Sequence, residues 1–188
     1  IQSITEQDLE TIFALNFVSS EFQLNNLRID TLAFDPETNA FVIIEFKRDR
    51  SFSVVDQGFA YLALMLNNKA DFILEYNEKM QRNLKRNDVD WSQSRVLFIA
   101  HSFTPHQRQA INFKDLPIEL WEVRKYEGNL LSFNSIKALQ TAESIKTVSQ
   151  DETVSKVSRE VKTYTIEDHF KSGWDDIRDL FESFREKI

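Results

Sequence analysis

The chain has 188 residues, a formal net charge of −7, 41% hydrophobic residues and no cysteine. That is enough apolar chain for one ordinary domain with a real core, and it excludes a disordered polymer, a disulfide scaffold and thiolate chemistry. The acidic balance also argues against nonspecific nucleic-acid binding by the whole surface, while leaving room for a local basic groove.

The cysteine-free composition suits a reducing, cytoplasmic setting. No apolar run reaches membrane-spanning length and no signal peptide is seen, so no membrane role is expected. The chain begins with Ile rather than Met, as a fragment or processed product would.

In chain order, "TEQDLETIFALNF" reads as a helix, with Thr5 as N-cap and Leu9, Ile12, Phe13 and Phe17 at helical spacing. Residues 21–27 read as a short strand. Two hairpin strands follow at about 28–35 and 40–48, joined by "DPETN". If the turn centres between Glu37 and Thr38, facing residues have numbers that sum to 75. Asp30 then opposes Glu45, Arg28 opposes Lys47, and Leu32 meets Ile43. Facing residues share a sheet face with Cβ atoms about 4.5–5.5 Å apart. One patch therefore gathers Asp30, Glu45 and Lys47. The other face carries Ile29, Thr31 and Ala33 against Val42, Ile44 and Phe46. Both faces are mostly apolar, which predicts a central hairpin covered on both sides.

Opposed carboxylates repel and are costly to desolvate. Three arrangements relieve them: one carboxyl is protonated, Lys47 neutralises one, or a divalent cation bridges both. Mg²⁺ (or Mn²⁺) suits the third, because it takes one or two carboxylates plus waters and phosphate oxygens. The bland alternative is an ion-pair cluster without chemistry.

Beyond the hairpin, "SFSVVDQGFAYLALMLNN" predicts a buried helix capped by Ser53, and Ala70–Arg82 a second helix. "SRVLFIAHSF" reads as a buried strand, and "TPHQRQAINF" as a helix with Pro105 at its first position. A last hairpin turns at Glu127-Gly128-Asn129. Residues 137–162 are polar and read as a linker or exposed helix. In 163–188, Ile166, Phe170, Trp174, Ile177, Phe181, Phe184 and Ile188 form one apolar stripe. Such a helix needs cover from the body, from a second copy in a homodimer, or from the rest of a domain. The element order predicts an α/β sandwich around a mixed central sheet flanked by helices, with an amphipathic C-terminal helix.

Lys79, Arg82, Lys85 and Arg86 in "EKMQRNLKR" fit one helical face, either a phosphate cradle or a solvated surface. Arg48 and Arg50 flank the hairpin site, better placed for backbone contacts. His101 and His106 lack ligand-like spacing and read as surface or satisfied polar residues. With three glycines there is no P-loop or dinucleotide fingerprint, and no Gly-x-Ser-x-Gly element.

"RID" followed by "IIEFK", then "QGFAY" on the next helix, resembles the PD-(D/E)XK nuclease superfamily, in the RecB-like and NucS-like branches that carry a Q-x-x-x-Y motif. Glu-x-Lys alone is uninformative, and Glu160-Val161-Lys162 matches it too. The ordered combination carries the resemblance, over about residues 5–136. It implies a restriction-endonuclease-like domain (1–136) and an endonuclease-like, Mg²⁺-dependent DNA phosphodiesterase of repair or defence. The implied metal ligands are Asp30, Glu45 and the Phe46 carbonyl, with Lys47 serving the attacking water. Glu10, with Glu6 as its rival, would be the helix acid joining the metal site. Gln57 and Tyr61 would support substrate or Lys47, though Tyr61 also reads as core and Gln57 as a backbone cap. Arg28 joins the basic residues named above as a candidate DNA contact. The terminal "YTIEDHF…LFESFREKI" resembles the opening of a small helical domain that follows such nuclease-like domains. A catalytically inactive nuclease-fold binding or assembly module is the competing reading.

Overall fold

Six strands form one mixed sheet in the order β1-β2-β3-β4-β5-β6. They are β1 (Asn16–Leu24), β2 (Leu27–Asp35), β3 (Ala40–Lys47), β4 (Arg95–Ala100), β5 (Ile118–Lys125) and β6 (Leu131–Ile136). The computed structural model describes residues 1–48, 53–113, 115–138, 142, 144, 152–162, 170 and 175–185. β1–β2, β2–β3 and β5–β6 pair antiparallel, while β3–β4 and β4–β5 pair parallel. A parallel neighbour needs a crossover. α3 (Val54–Asn67) and α4 (Lys69–Met80) supply the first, and α5 (Pro105–Ala110) the second. The α/β architecture with a mixed sheet and flanking helices is the one expected.

Local chemistry sets the boundaries. Ser53 caps α3 by accepting the Asp56 N–H at 3.3 Å. Thr104 and Gln107 form a capping box on α5, with Pro105 in its first turn. The β2–β3 turn is drawn in by Asp35 Oδ1, which accepts the Glu37 and Thr38 N–H groups at 2.9 and 3.1 Å. The last hairpin turns through Glu127–Asn129, with Gly128 at φ 74°.

The N-terminal segment departs from expectation. The helix begins at Gln2, so Thr5 is no cap: it lies inside α1 (Gln2–Gln7), fully buried, its hydroxyl donating to the Ile1 carbonyl at 3.1 Å. A break at Asp8 separates α1 from α2 (Leu9–Phe13), which a left-handed Ala14 (φ 56°) ends. Phe17 therefore belongs to β1, and the strand expected at 21–27 is longer and earlier. It stops at Leu24 because Asn25, at φ 55°, turns the chain.

The sheet is covered on both faces. On one side Leu32, Phe34, Phe41, Ile43 and Phe98 meet Phe59, Leu62 and Met65 of α3 and Phe72 and Tyr76 of α4. Phe41, wholly buried, contacts the rings of Phe34, Phe72, Tyr76 and Trp91. Truncating such a ring costs about 3–5 kcal/mol. On the other side Ala33, Val42, Ile44, Leu97, Ile99 and Val123 meet Leu9 and Leu15. Ile29 was expected there but packs with the α3–α4 side. Glu21 of β1 takes a left-handed φ of 56° at this point, and Phe22, facing Ile29, lies against the same cluster.

Part of the span read as a linker or exposed helix is a helix with one buried face. α6 (Glu152–Glu160) packs against α3, with Val157 and Val161 buried. Glu160 pairs with Lys69 at 2.7 Å, and the Lys162 N–H donates to the Ser92 carbonyl at 2.7 Å. The second Glu-x-Lys match is thus a structural staple. On α7 (Asp175–Arg185), Ile177, Leu180, Phe181 and Phe184 are exposed, and Phe170 meets Phe181 edge-on. Ile166, Trp174 and Ile188 lie outside the described residues. Among the described residues no helix is long and apolar enough to cross a membrane.

Candidate active site

The β2–β3 ladder keeps the sum of 75 from Asp35↔Ala40 to Thr31↔Ile44 and then stops. At the next position the carboxylates replace the backbone carbonyls as acceptors. Glu45 Oε1 accepts the Asp30 N–H at 3.1 Å, and Asp30 Oδ2 accepts the Phe46 N–H at 2.9 Å. Each acid is thereby held by the other strand. Lys47 Nζ lies 3.2 Å from Glu45 Oε2 and 5.8 Å from the centre of the Phe98 ring. The three side chains expected to gather are thus linked in series, Asp30 to Glu45 across the strands and Glu45 to Lys47 along β3.

Glu45 is 2% exposed. Burial and then the Asp30 charge raise its pKa, and the Asp30 N–H and Lys47 only partly offset them. Two carboxylates face one ammonium, so the cluster is short of positive charge. Asp30 Oδ1 stands 4.0 Å from Arg28 Nη2, a weak contact. The available donors are hard oxygens, Asp30, Glu45 and the Phe46 carbonyl, which suit Mg²⁺ or Mn²⁺ completed by water and phosphate. Among the described residues no group of three or more His, Asp or Glu side chains gathers as a metal cage.

α3 brings Tyr61 to this cluster. Its hydroxyl donates to the Arg28 carbonyl at 3.3 Å. Burial and the neighbouring Glu45 and Asp30 carboxylates push the phenol's pKa up, so it stays protonated. One turn earlier, Gln57 Oε1 is buried without a hydrogen-bond partner among the described residues. Gly58 sets the helix height: a Cβ there would overlap the Ile118 side chain.

Glu10 does not join the cluster. It is exposed on α2, beyond the break at Asp8 that separates the two helices. Glu6, on α1, is the acid turned inward. Its Oε1 accepts from Thr31 Oγ1 at 2.6 Å, Ser20 Oγ at 2.9 Å and Gln2 Nε2 at 3.1 Å. The same Gln2 amide donates to the Asp30 carbonyl at 3.1 Å.

A cleft of about 920 Å³ opens over Asp30 and Lys47, lined also by Gln2, Glu21, Arg28, Arg48 and His101. Arg28 is held by Glu21 at 2.7 Å. Arg48 is exposed at the rim, and Arg50 lies outside the described residues.

Lys79, Arg82, Lys85 and Arg86 do not share a helical face. α4 ends at Met80, Gln81 turns left-handed (φ 51°), and the Asn77 amide clamps Leu84 with bonds of 2.6 and 3.1 Å. After Arg86 the chain bonds to the β2–β3 turn through the Asp90 N–H and the Asn39 carbonyl (2.8 Å). That is the opposite end of the hairpin from Asp30 and Glu45, and none of the four lines the cleft. His101, set aside from sequence, does line it. The available signal was its place immediately after the buried strand β4.

No family model matches the chain. An uncharacterised protein of Haemophilus influenzae (strain ATCC 51907 / DSM 11121 / KW20 / Rd) is 51% identical over 189 residues. The match covers 100% of this chain and 63% of that relative, so the chain spans less than two thirds of its length. Among solved structures, an EndoMS–dsDNA complex is similar with a TM-score of 0.40 and 17% identity, over 66% of this chain and 44% of that one. A repair endonuclease from Pyrococcus abyssi gives 0.31 and 15%, over 57% and 38%. Pyrococcus furiosus SfsA in complex with Ca²⁺ gives 0.34 and 12%, over 73% and 61%. Overlaps this partial say nothing of chemistry, which has to come from Asp30, Glu45 and Lys47 themselves.

Proposed function

We propose that the chain is a metal-dependent DNA phosphodiester hydrolase of the PD-(D/E)XK type, endonuclease-like, in DNA repair or defence. The observation that carries this reading is the reciprocal lock of Asp30 and Glu45 across β2 and β3, with an amine 3.2 Å from one of them, beside an open cleft. A site short of one positive charge and rich in hard oxygens suits a divalent cation.

Asp30, Glu45 and the Phe46 carbonyl would hold Mg²⁺ or Mn²⁺. When bound, such an ion polarises a phosphodiester and lowers the pKa of a coordinated water. Lys47 orients the attacking water and stabilises the charge that grows on the phosphate oxygens. Tyr61 stays protonated and steadies the Glu45 side of the pocket, with Gln57 behind it. Glu6, in place of Glu10, fixes Thr31 and, through Gln2, the Asp30 backbone. Arg28 exchanges Glu21 for a DNA phosphate.

Purified protein is expected to nick or cut plasmid DNA with Mg²⁺ or Mn²⁺, and Glu45→Ala to abolish this while the melting transition persists. Cleavage that survives the substitution removes the site from the mechanism. The second reading, a noncatalytic nuclease-fold module, is favoured by the Lys47–Glu45 ion pair already closing part of the site. It predicts DNA binding without cleavage under any divalent metal.

A further inference from the structure

We infer that Arg48 and His101 form a phosphate-gripping rim, a second contact for the substrate backbone beside the Asp30–Glu45 pair. β3 and β4 run parallel in register through Lys47↔Ala100, so the next residues, Arg48 and His101, leave adjacent strands side by side. Neighbouring strands are about 4.8 Å apart. Both side chains are exposed, and both line the cleft that holds Asp30 and Lys47.

Two other cationic side chains of the cleft are engaged: Arg28 by Glu21 at 2.7 Å and Lys47 by Glu45 at 3.2 Å. The side chains of Arg48 and His101 carry no hydrogen bond or ion pair among the described residues. In a chain of net charge −7, two side-by-side donors kept clear at the mouth of a cleft suit an anion. A guanidinium fork matches phosphate geometry, and an imidazole N–H adds a neighbouring donor. Such contacts fix a strand's position without reading its sequence. The Lys79–Arg86 segment, at the opposite end of the hairpin, takes no part.

The ligand's identity as DNA rests on the proposed function, but binding and cleavage are scored separately. In a Glu45→Gln background, the affinity for a fluorescently labelled duplex is measured by anisotropy across a salt series. Arg48→Ala with His101→Ala is expected to weaken binding about tenfold or more and to lower the log–log salt slope by about one, the share of the Arg48 charge. Arg82→Ala with Arg86→Ala should change neither. Unchanged affinity and slope in the first pair, or the loss appearing in the second pair instead, overturns the rim, as does absence of DNA binding by Glu45→Gln itself. Wild-type protein that never cuts the same duplex with Mg²⁺, yet binds it through Arg48 and His101, overturns the hydrolase reading and leaves the rim standing.

Discussion

Asp30 and Glu45 face each other where the β2–β3 ladder gives out, and each accepts a hydrogen bond from the backbone of the opposite strand, at 2.9 and 3.1 Å. The arrangement serves two ends. It satisfies N–H groups that the splayed strands would leave unpaired, and it fixes two carboxylates that on charge grounds would separate. The cluster is therefore built under electrostatic load, which several substitutions expose.

Glu45→Gln should stabilise the protein at neutral pH while removing activity. The amide keeps an oxygen for the Asp30 N–H but carries no charge. Because the folded-state pKa of Glu45 is raised, the proton is held more tightly folded than unfolded. Wild-type stability is then fully present at low pH and falls as pH rises from the ordinary Glu range through the raised value. Melting temperatures compared from about pH 4 to pH 8 should show the variant's advantage growing with pH. An advantage that shrinks as pH rises contradicts the assignment of load to Glu45.

Asp35 gives the opposite sign. Burial opposes its charge, but the Thr38 and Glu37 N–H groups and Arg95 at 2.9 Å outweigh burial and lower its pKa. Its contribution is present above the ordinary aspartate range and is lost as pH falls through the lowered value. Asp35→Asn should therefore melt earlier than wild type at pH 7, and the gap should close on acidification.

The two helix acids should separate cleanly. Glu6→Ala strands the hydroxyl of the fully buried Thr31 and takes one acceptor from the Gln2 amide. A loss of about 1–3 kcal/mol is expected from the orphaned group, together with reduced DNA cleavage. Glu10→Ala, on an exposed position, should stay within about 0.5 kcal/mol and leave cleavage unaltered. Urea titrations of both variants, with plasmid cleavage run alongside, make the comparison.

Gly58 should tolerate no larger side chain. Its missing Cβ lets α3, the helix that carries Tyr61 to the Arg28 carbonyl, approach Ile118 and Phe98. Gly58→Val should cost about 1–3 kcal/mol from overpacking. Ile118→Ala in the same chain should recover part of it, measured as a double-mutant cycle. An additive pair would mean that the two residues do not meet.

The hairpin could be read from sequence because alternation, the Asp35-Pro36-Glu37-Thr38-Asn39 turn and its register agree on one arrangement, and the nearness of Asp30, Glu45 and Lys47 followed from it. What escaped were breaks that no pattern announces. Phe17 matches the helical spacing of Leu9 and Phe13, yet a left-handed Ala14 hands it to β1. The break at Asp8 turns Glu6 inward and leaves Glu10 outside. Gln81, also left-handed, scatters cations that a continuous helix would have aligned. α6 was masked by its polar composition, because Val154, Val157 and Val161 suffice to dock it. His101 became visible only when the register placed it beside Arg48 at the mouth of the cleft.

Calorimetric titration with Mn²⁺, without DNA and then with a duplex present, tests most directly whether the two strand acids exist to hold an ion. Saturable binding by the wild-type chain, lost in Asp30→Asn and in Glu45→Gln, is the expected result. Heat that stays at the level of dilution with DNA present, or an undiminished signal from Asp30→Asn, would contradict it.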